Sequence, residues 1–116
     1  MSTVIICGSR SWRDWLPIIR LVDSLPPDTV VIDGHAAGAD NIAHLCAKKR
    51  GLTTRRYPAK WSLHGRRAGP IRNAEMLKEE KPTHVYAFAY DLENSKGTRN
   101  MVERARAAGV AVEVWL

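Results

Sequence analysis

Short apolar runs rich in β-branched residues alternate along this chain with stretches of helical periodicity, and no other feature limits the fold so sharply. The runs lie at Thr3 to Cys7, Thr29 to Asp33, Leu52 to Tyr57, Thr83 to Ala89 and Val110 to Trp115. A continuous apolar run such as Val4-Ile5-Ile6-Cys7 suits a strand buried on both faces, as in a parallel sheet. Between the first two runs, Trp12, Trp15, Leu16, Ile19 and Val22 recur at helical spacing, which predicts an amphipathic helix from Ser11 to about Leu25. Ser11 with Asp14 three residues on reads as a capping box, and Pro17 falls near the first turn. A second helix is predicted from about Ala39 to Arg50, with Ala39, Ile42, Ala43, Cys46 and Ala47 inward and Gly51 as its C-cap. Pro58 to Gly69 has no clear period and reads as a long loop. Pro70 then opens a third helix at N1, running to about Glu80. A fourth begins at Gly97-Thr98 with Met101, Val102, Ala105 and Ala108 inward.

The order β-α-β-α-β-α-β-α-β implies an α/β, Rossmann-like domain: a five-stranded, mostly parallel sheet with helices on both faces. At 116 residues the chain makes one domain, 1–116, large enough for its own core. No apolar run approaches the ~20 residues of a membrane span. Cys7 and Cys46 are far apart, so neither a zinc site nor a redox pair is suggested, and Cys46 reads as a buried free thiol. With no basic stretch before the first apolar run, a cytoplasmic protein is expected.

Parallel sheets collect their strand-end loops on one edge, and ligands bind there near the switch in strand order. Three polar, glycine-bearing turns follow strands: Gly8-Ser9-Arg10, Gly34 to Asp40, and Ser95-Lys96-Gly97-Thr98. Small residues let backbone N–H groups approach an anion, and a helix N-terminus adds its positive dipole end. Gly34, Ala36 and Gly38 form a Gly-x-x-x-Gly turn rather than a dinucleotide fingerprint or a P-loop. Arg10 suits bidentate grip of a phosphate. Asp40 has two readings: it caps its own helix, or it accepts from ribose hydroxyls or a base. Arg72 and Asn73 lie in a first helical turn, where a cation works against the dipole; that favours a ligand role for Arg72. Ser95, Gly97 and Thr98 make a second phosphate cradle or an ordinary cap. Trp61 either stacks on a base or covers the core.

Charge points the same way. The net charge is +6, and between Asn41 and Asn73 there is no Asp or Glu at all. Lys48, Lys49, Arg50, Arg55, Arg56, Lys60, Arg66, Arg67 and Arg72 all lie in that interval, which implies a phosphate-bearing partner or a solvated basic face. Lys48 to Arg50 also have a structural reason, at the C-terminus of a helix dipole. No metal-ligand spacing and no Ser/His/Asp order appears. Glu75 and Glu103 are the candidate catalytic carboxylates.

Taken in order, Gly8-Ser9-Arg10, Gly34-x-Ala36-x-Gly38-Ala39-Asp40, Lys60-Trp61, Ala68-Gly69-Pro70-x-Arg72-Asn73-x-x-Met76 and Ser95-x-Gly97-Thr98-x-x-Met101 resemble the YspA-like branch of the SLOG superfamily. That superfamily also holds the DprA/Smf DNA-processing proteins and the LOG phosphoribohydrolases. The resemblance implies a Rossmann-like domain whose strand-end loops bind a nucleotide or nucleotide-derived ligand. LOG-type hydrolases carry Pro-Gly-Gly-x-Gly-Thr-x-x-Glu, and here Met101 stands at the glutamate position. The phosphate-binding half of the motif is kept and the catalytic half is not.

Three functions follow from these residues. The first is binding or sensing of a nucleotide-derived small molecule, with no cofactor. The second is hydrolysis of the N-glycosidic bond of a nucleoside 5′-monophosphate, with Glu75 or Glu103 substituting as the acid. The third is binding of single-stranded nucleic acid through the basic stretch. A homo-oligomer paired through a helix face would use Trp12 and Trp15, for which core packing is the alternative.

Overall fold

The computed structural model describes residues 2–116. Five strands, β1 (Thr3–Gly8), β2 (Val30–Asp33), β3 (Thr53–Arg56), β4 (His84–Phe88) and β5 (Ala111–Trp115), form one sheet in the order β3-β2-β1-β4-β5. Every pairing is parallel, so the sheet is parallel throughout rather than mostly so. The helices are α1 (Trp15–Ser24), α2 (Ala39–Arg50), α3 (Trp61–His64), α4 (Ala68–Glu80) and α5 (Lys96–Ala107). No helix among the described residues is long and apolar enough to cross a membrane.

The two-residue period of the strands divides the core in two. Val4, Ile6, Val31 and Phe88 face α1 and α2 through Ile18, Val22, Ile42 and Ala43. Ile5, Cys7, Ile32, Val85 and Ala87 face α4 and α5 through Met76, Met101, Val102 and Ala105. Strands β1, β2 and β4 are buried on both faces, which is why they read as unbroken apolar runs. Strand β3, with its arginines, lies at an edge.

Several local expectations are corrected. Helix α1 starts at Trp15, not Ser11, and its N-cap Asp14 makes no side-chain cap bond. Ser11 is bonded instead to Ser9, at 2.8 Å between hydroxyls. Trp12 therefore precedes the helix. It is buried against Phe88, stacks on Tyr90 and donates from Nε1 to the Asp14 carbonyl at 2.7 Å. The buried stripe of α1 is Ile18 and Val22; Trp15 (45% exposed), Leu16 (55%) and Ile19 lie outward. Cys46 is half-buried rather than buried. Residues 58–69 are not a bare loop: they carry α3 and a 3-10 turn, Gly65–Arg67, that runs directly into α4. Pro70 consequently stands at the third position of α4, where its missing N–H is still one of the helix's unpaired donors. Ala108 is exposed beyond the end of α5.

Candidate functional site

The strand order reverses between β1 and β4, so the chain leaves their carboxyl ends in opposite directions and opens a crevice there. A cleft of about 620 Å³ occupies it. Its walls come from the turn after β1 (Gly8, Ser9, Arg10), from Ala36 and Asp40, from Trp61 and Arg66, from the first turns of α4, and from Asn94 to Thr98 at the start of α5. Arg10, Asp40, Arg72 and Thr98, far apart in sequence, thus share one cavity. A neighbouring hollow of about 410 Å³ is lined by Gly34, His35, Ala37, Pro58 and Ala59. Gly38 lines neither, and neither do Glu75 and Glu103. Glu75 is exposed on α4, and Glu103 is exposed and pairs with Arg99 at 3.9 Å. The candidate acids are therefore outside the cleft.

Three amides of the glycine turn after β2, those of Gly34, His35 and Ala39, are spent within the chain itself. Asp40 is almost wholly buried. It accepts from Gly34 N–H at 2.8 Å through Oδ2 and from Gly8 N–H at 3.2 Å through Oδ1. Its carboxylate does not cap α2; it fastens the turn after β1 to the turn after β2. Asp33 takes His35 N–H at 2.6 Å, and the Ser9 carbonyl takes Ala39 N–H at 3.2 Å. The glycines serve close packing. A Cβ on Gly38, where φ is +76°, would stand 2.3 Å from the Ser9 carbonyl oxygen, and one on Gly34 would strike the Arg72 guanidinium. Burial, followed by the charge of Asp33, pushes the Asp40 carboxyl up to about 7, against the pull of its two amide donors and Arg72.

Arg72 reaches across from α4 to hold the same region. Nη1 donates to the Gly34 carbonyl and to the Tyr57 carbonyl at 3.2 Å, and Nε donates to Asn73 Oδ1 at 2.9 Å. Nη2 makes no hydrogen bond among the described residues. Burial lowers the pKa of this guanidinium, and Asp40 opposes the shift. Asn73 is buried and spends its amide on the Gly97 carbonyl and Asn100 Oδ1, both at 3.1 Å. It joins α4 to α5 and leaves little for a ligand. Cys7 forms part of the floor, its thiol held protonated by burial and by Asp40.

The N-terminus of α5 is different. Its N-cap Ser95 makes no side-chain cap bond, because Oγ donates to the Asp91 carbonyl at 2.9 Å. The first turn has no acidic residue, and Lys96, Gly97 and Thr98 line the cleft. An open helix N-terminus with unspent amides attracts an anion. Around the mouth stand Arg10, Arg66 and Lys96. The Arg10 guanidinium lies 5.5 Å from the Trp61 ring centre, and Trp61 is 49% exposed. Among the lining residues Asp40 is the sole carboxylate, and both its oxygens are occupied.

Much of the basic stretch has internal work. Arg55 forms a forked pair with Glu80 at 2.9–3.2 Å. Burial raises the Glu80 carboxyl, but the hydrogen bonds from Arg55 and Tyr57 outweigh it and hold its pKa down. Arg56 pairs with buried Asp33 at 2.9 Å, and Arg50 donates to the Val22 carbonyl. Lys48 and Lys49 sit at the far end of α2 from the cleft. That leaves Lys60, Arg66 and Arg67, with Arg10 and Lys96, as the exposed cations near it.

Comparison with known proteins gives three findings. Residues 2–64 match the sequence profile of the YspA, cpYpsA-related SLOG family. The Gene 61 protein of Mycobacterium phage D29 is 35% identical over 121 residues, covering 97% of this chain and 94% of that protein. The structure of DNA processing protein A (DprA) from Streptococcus pneumoniae superposes with a TM-score of 0.78 at 21% identity. That match covers 98% of this chain and 50% of the DprA chain, so this chain spans half the length of DprA, and the likeness is one of fold.

Proposed function

Because the chain belongs to the YspA, cpYpsA-related SLOG family, we propose that its strand-end cleft binds a nucleotide or nucleotide-derived ligand, as a sensing or binding domain rather than a hydrolase. The observation that carries this reading is the meeting of an uncapped α5 N-terminus with Arg10, Arg66 and Lys96 in one cleft, beside the half-exposed face of Trp61. A phosphate would take the amides of Gly97 and Thr98 on one side and the Arg10 guanidinium on the other, and a base or ribose would lie against the Trp61 ring. The volume of about 620 Å³ falls within the ordinary range for a small-molecule pocket.

Met101 at the glutamate position of LOG-type hydrolases, with Glu75 and Glu103 outside the cleft, favours binding over turnover. Isothermal titration against nucleoside mono- and diphosphates and cyclic nucleotides tests the reading. Saturable binding to at least one, without release of free base on prolonged incubation, is expected. No heat from any of them at micromolar protein would sink it.

A second reading is single-stranded nucleic acid. Trp61 and the exposed Lys60, Arg66 and Arg67 share one short segment, and a DNA-processing protein shares the fold. It requires affinity that falls steeply with salt, as released counterions dictate.

A further inference from the structure

The hollow of about 410 Å³ beside the main cleft is not a separate feature of the surface. Arg10, Ala36, Trp61 and Arg72 line both compartments, so the two meet along a seam formed by these residues. We propose that the ligand has two parts: two organic units, one in each compartment, joined through a phosphate or pyrophosphate bridge at the Arg10–Arg72 seam. This rests on the nucleotide-binding reading and goes beyond it by naming the ligand class.

Three observations support it. First, two guanidinium groups stand where the compartments join, and Arg72 has Nη2 unspent after its bonds to Gly34, Tyr57 and Asn73. A forked donor at that position suits a bridging phosphoryl group. Second, the outer compartment has no carboxylate, and much of its wall is the small apolar surface of Ala37, Pro58 and Ala59. Such a wall takes a flat or uncharged group, not a further phosphate. Third, His35 on its rim has φ +59°, a left-handed conformation costly for a residue with a side chain, held by the bond from its N–H to Asp33 at 2.6 Å. Backbone of this kind persists where its surroundings over-determine it, and it clusters at ligand sites. A mononucleotide seated in the inner compartment would leave the outer one vacant.

The test is titration of the full chain with AMP, ADP and the symmetric adenosine–pyrophosphate–adenosine dinucleotide, together with the guanine series. ADP supplies the pyrophosphate without the second unit. The dinucleotide of one series should bind about tenfold or more tighter than its diphosphate. Ala37 is exposed on the outer compartment alone, so Ala37→Trp should fold, erase that gain and leave monophosphate affinity within about twofold. Ala59, which also lines the outer compartment alone, offers a second site from another loop: Ala59→Trp should do the same. A dinucleotide that binds no tighter than the diphosphate, or a gain that survives both variants, overturns the two-part ligand while leaving the nucleotide reading in place. No binding of any mono- or dinucleotide overturns both.

Discussion

The carboxylate of Asp40 accepts the amide proton of Gly34 at 2.8 Å, deep beneath the rim of the cleft. With its second oxygen on Gly8 N–H, one side chain holds the exits of two adjacent strands together. Asp40→Ala strands two amides and removes the nearest counter-charge from Arg72, so a loss of about 2–4 kcal/mol is expected in urea unfolding. A variant within about 0.5 kcal/mol of wild type would show that the bonds carry no weight.

The same carboxyl predicts a pH dependence. Asp40 ionises at about 7 in the fold and near its ordinary 3.8 when unfolded. Between those values the native state holds the extra proton, so stability falls as pH rises through the interval. Asp40→Asn does not titrate there. The stability advantage of wild type over Asp40→Asn should therefore narrow between pH 5 and pH 8, measured as the difference of unfolding free energies at each pH. A constant or widening difference would contradict the raised pKa.

Gly8 and Gly97 should respond oppositely to the same change. A Cβ on Gly8 would lie 2.2 Å from the Phe88 carbonyl oxygen and 2.6 Å from the Ala39 Cβ, contacts that only backbone movement relieves. Gly8→Ala should cost about 3 kcal/mol. A Cβ on Gly97 would meet nothing within 4 Å, and the residue is in the first turn of α5. Gly97→Ala should raise stability by about 0.5–1 kcal/mol, read from the melting temperature. If the cleft takes phosphate at this turn, the same variant weakens ligand binding while the protein becomes more stable.

Arg72→Met removes three hydrogen bonds at once and leaves the Gly34 and Tyr57 carbonyls without their shared donor. A loss of about 2–4 kcal/mol is expected. Arg72→Lys should recover only part of it, because a single ammonium cannot reproduce a planar fork directed at three acceptors.

Trp61 separates ligand effects from folding effects. It is half exposed, and its pairing with Arg10 is worth about 0.5–1 kcal/mol at such a site. Trp61→Ala should lower the melting temperature by no more than about 2–5 °C and cut nucleotide affinity about tenfold, since base stacking is worth about 1–3 kcal/mol. Unchanged affinity would remove Trp61 from the site.

The sequence carried the architecture because strands buried on both faces must be apolar without interruption, as Val4-Ile5-Ile6 and Val30-Val31-Ile32 are. Parallel connection then gathers the glycine turns on one edge without any detail of side chains. What was not legible was the use each residue is put to. Trp15, Leu16 and Ile19 have the periodicity of a buried stripe, yet the sheet meets α1 through Ile18 and Val22, an orientation only tertiary packing sets. Gly34 and Gly38 read as an anion cradle, but the atoms close to them belong to Arg72, Asp40 and the β1 turn. The acid-free stretch from Asn41 to Asn73 suggests a polyanion, whereas Glu80 and Asp33, outside that stretch, neutralise Arg55 and Arg56. Pairing across strands is invisible to a local count of charges.

The tie between Gly8, Gly34 and Asp40 has a consequence for how this cleft can change over descent. Residues that hold the rim are distinct from most of those that face its opening: Asp40 and Asn73 lock the frame, while Ser9, Ala36, Ala37 and Trp61 sit on it. Substitutions in the second group can change the lining of the cavity without rebuilding the scaffold beneath, so frame and lining can vary independently.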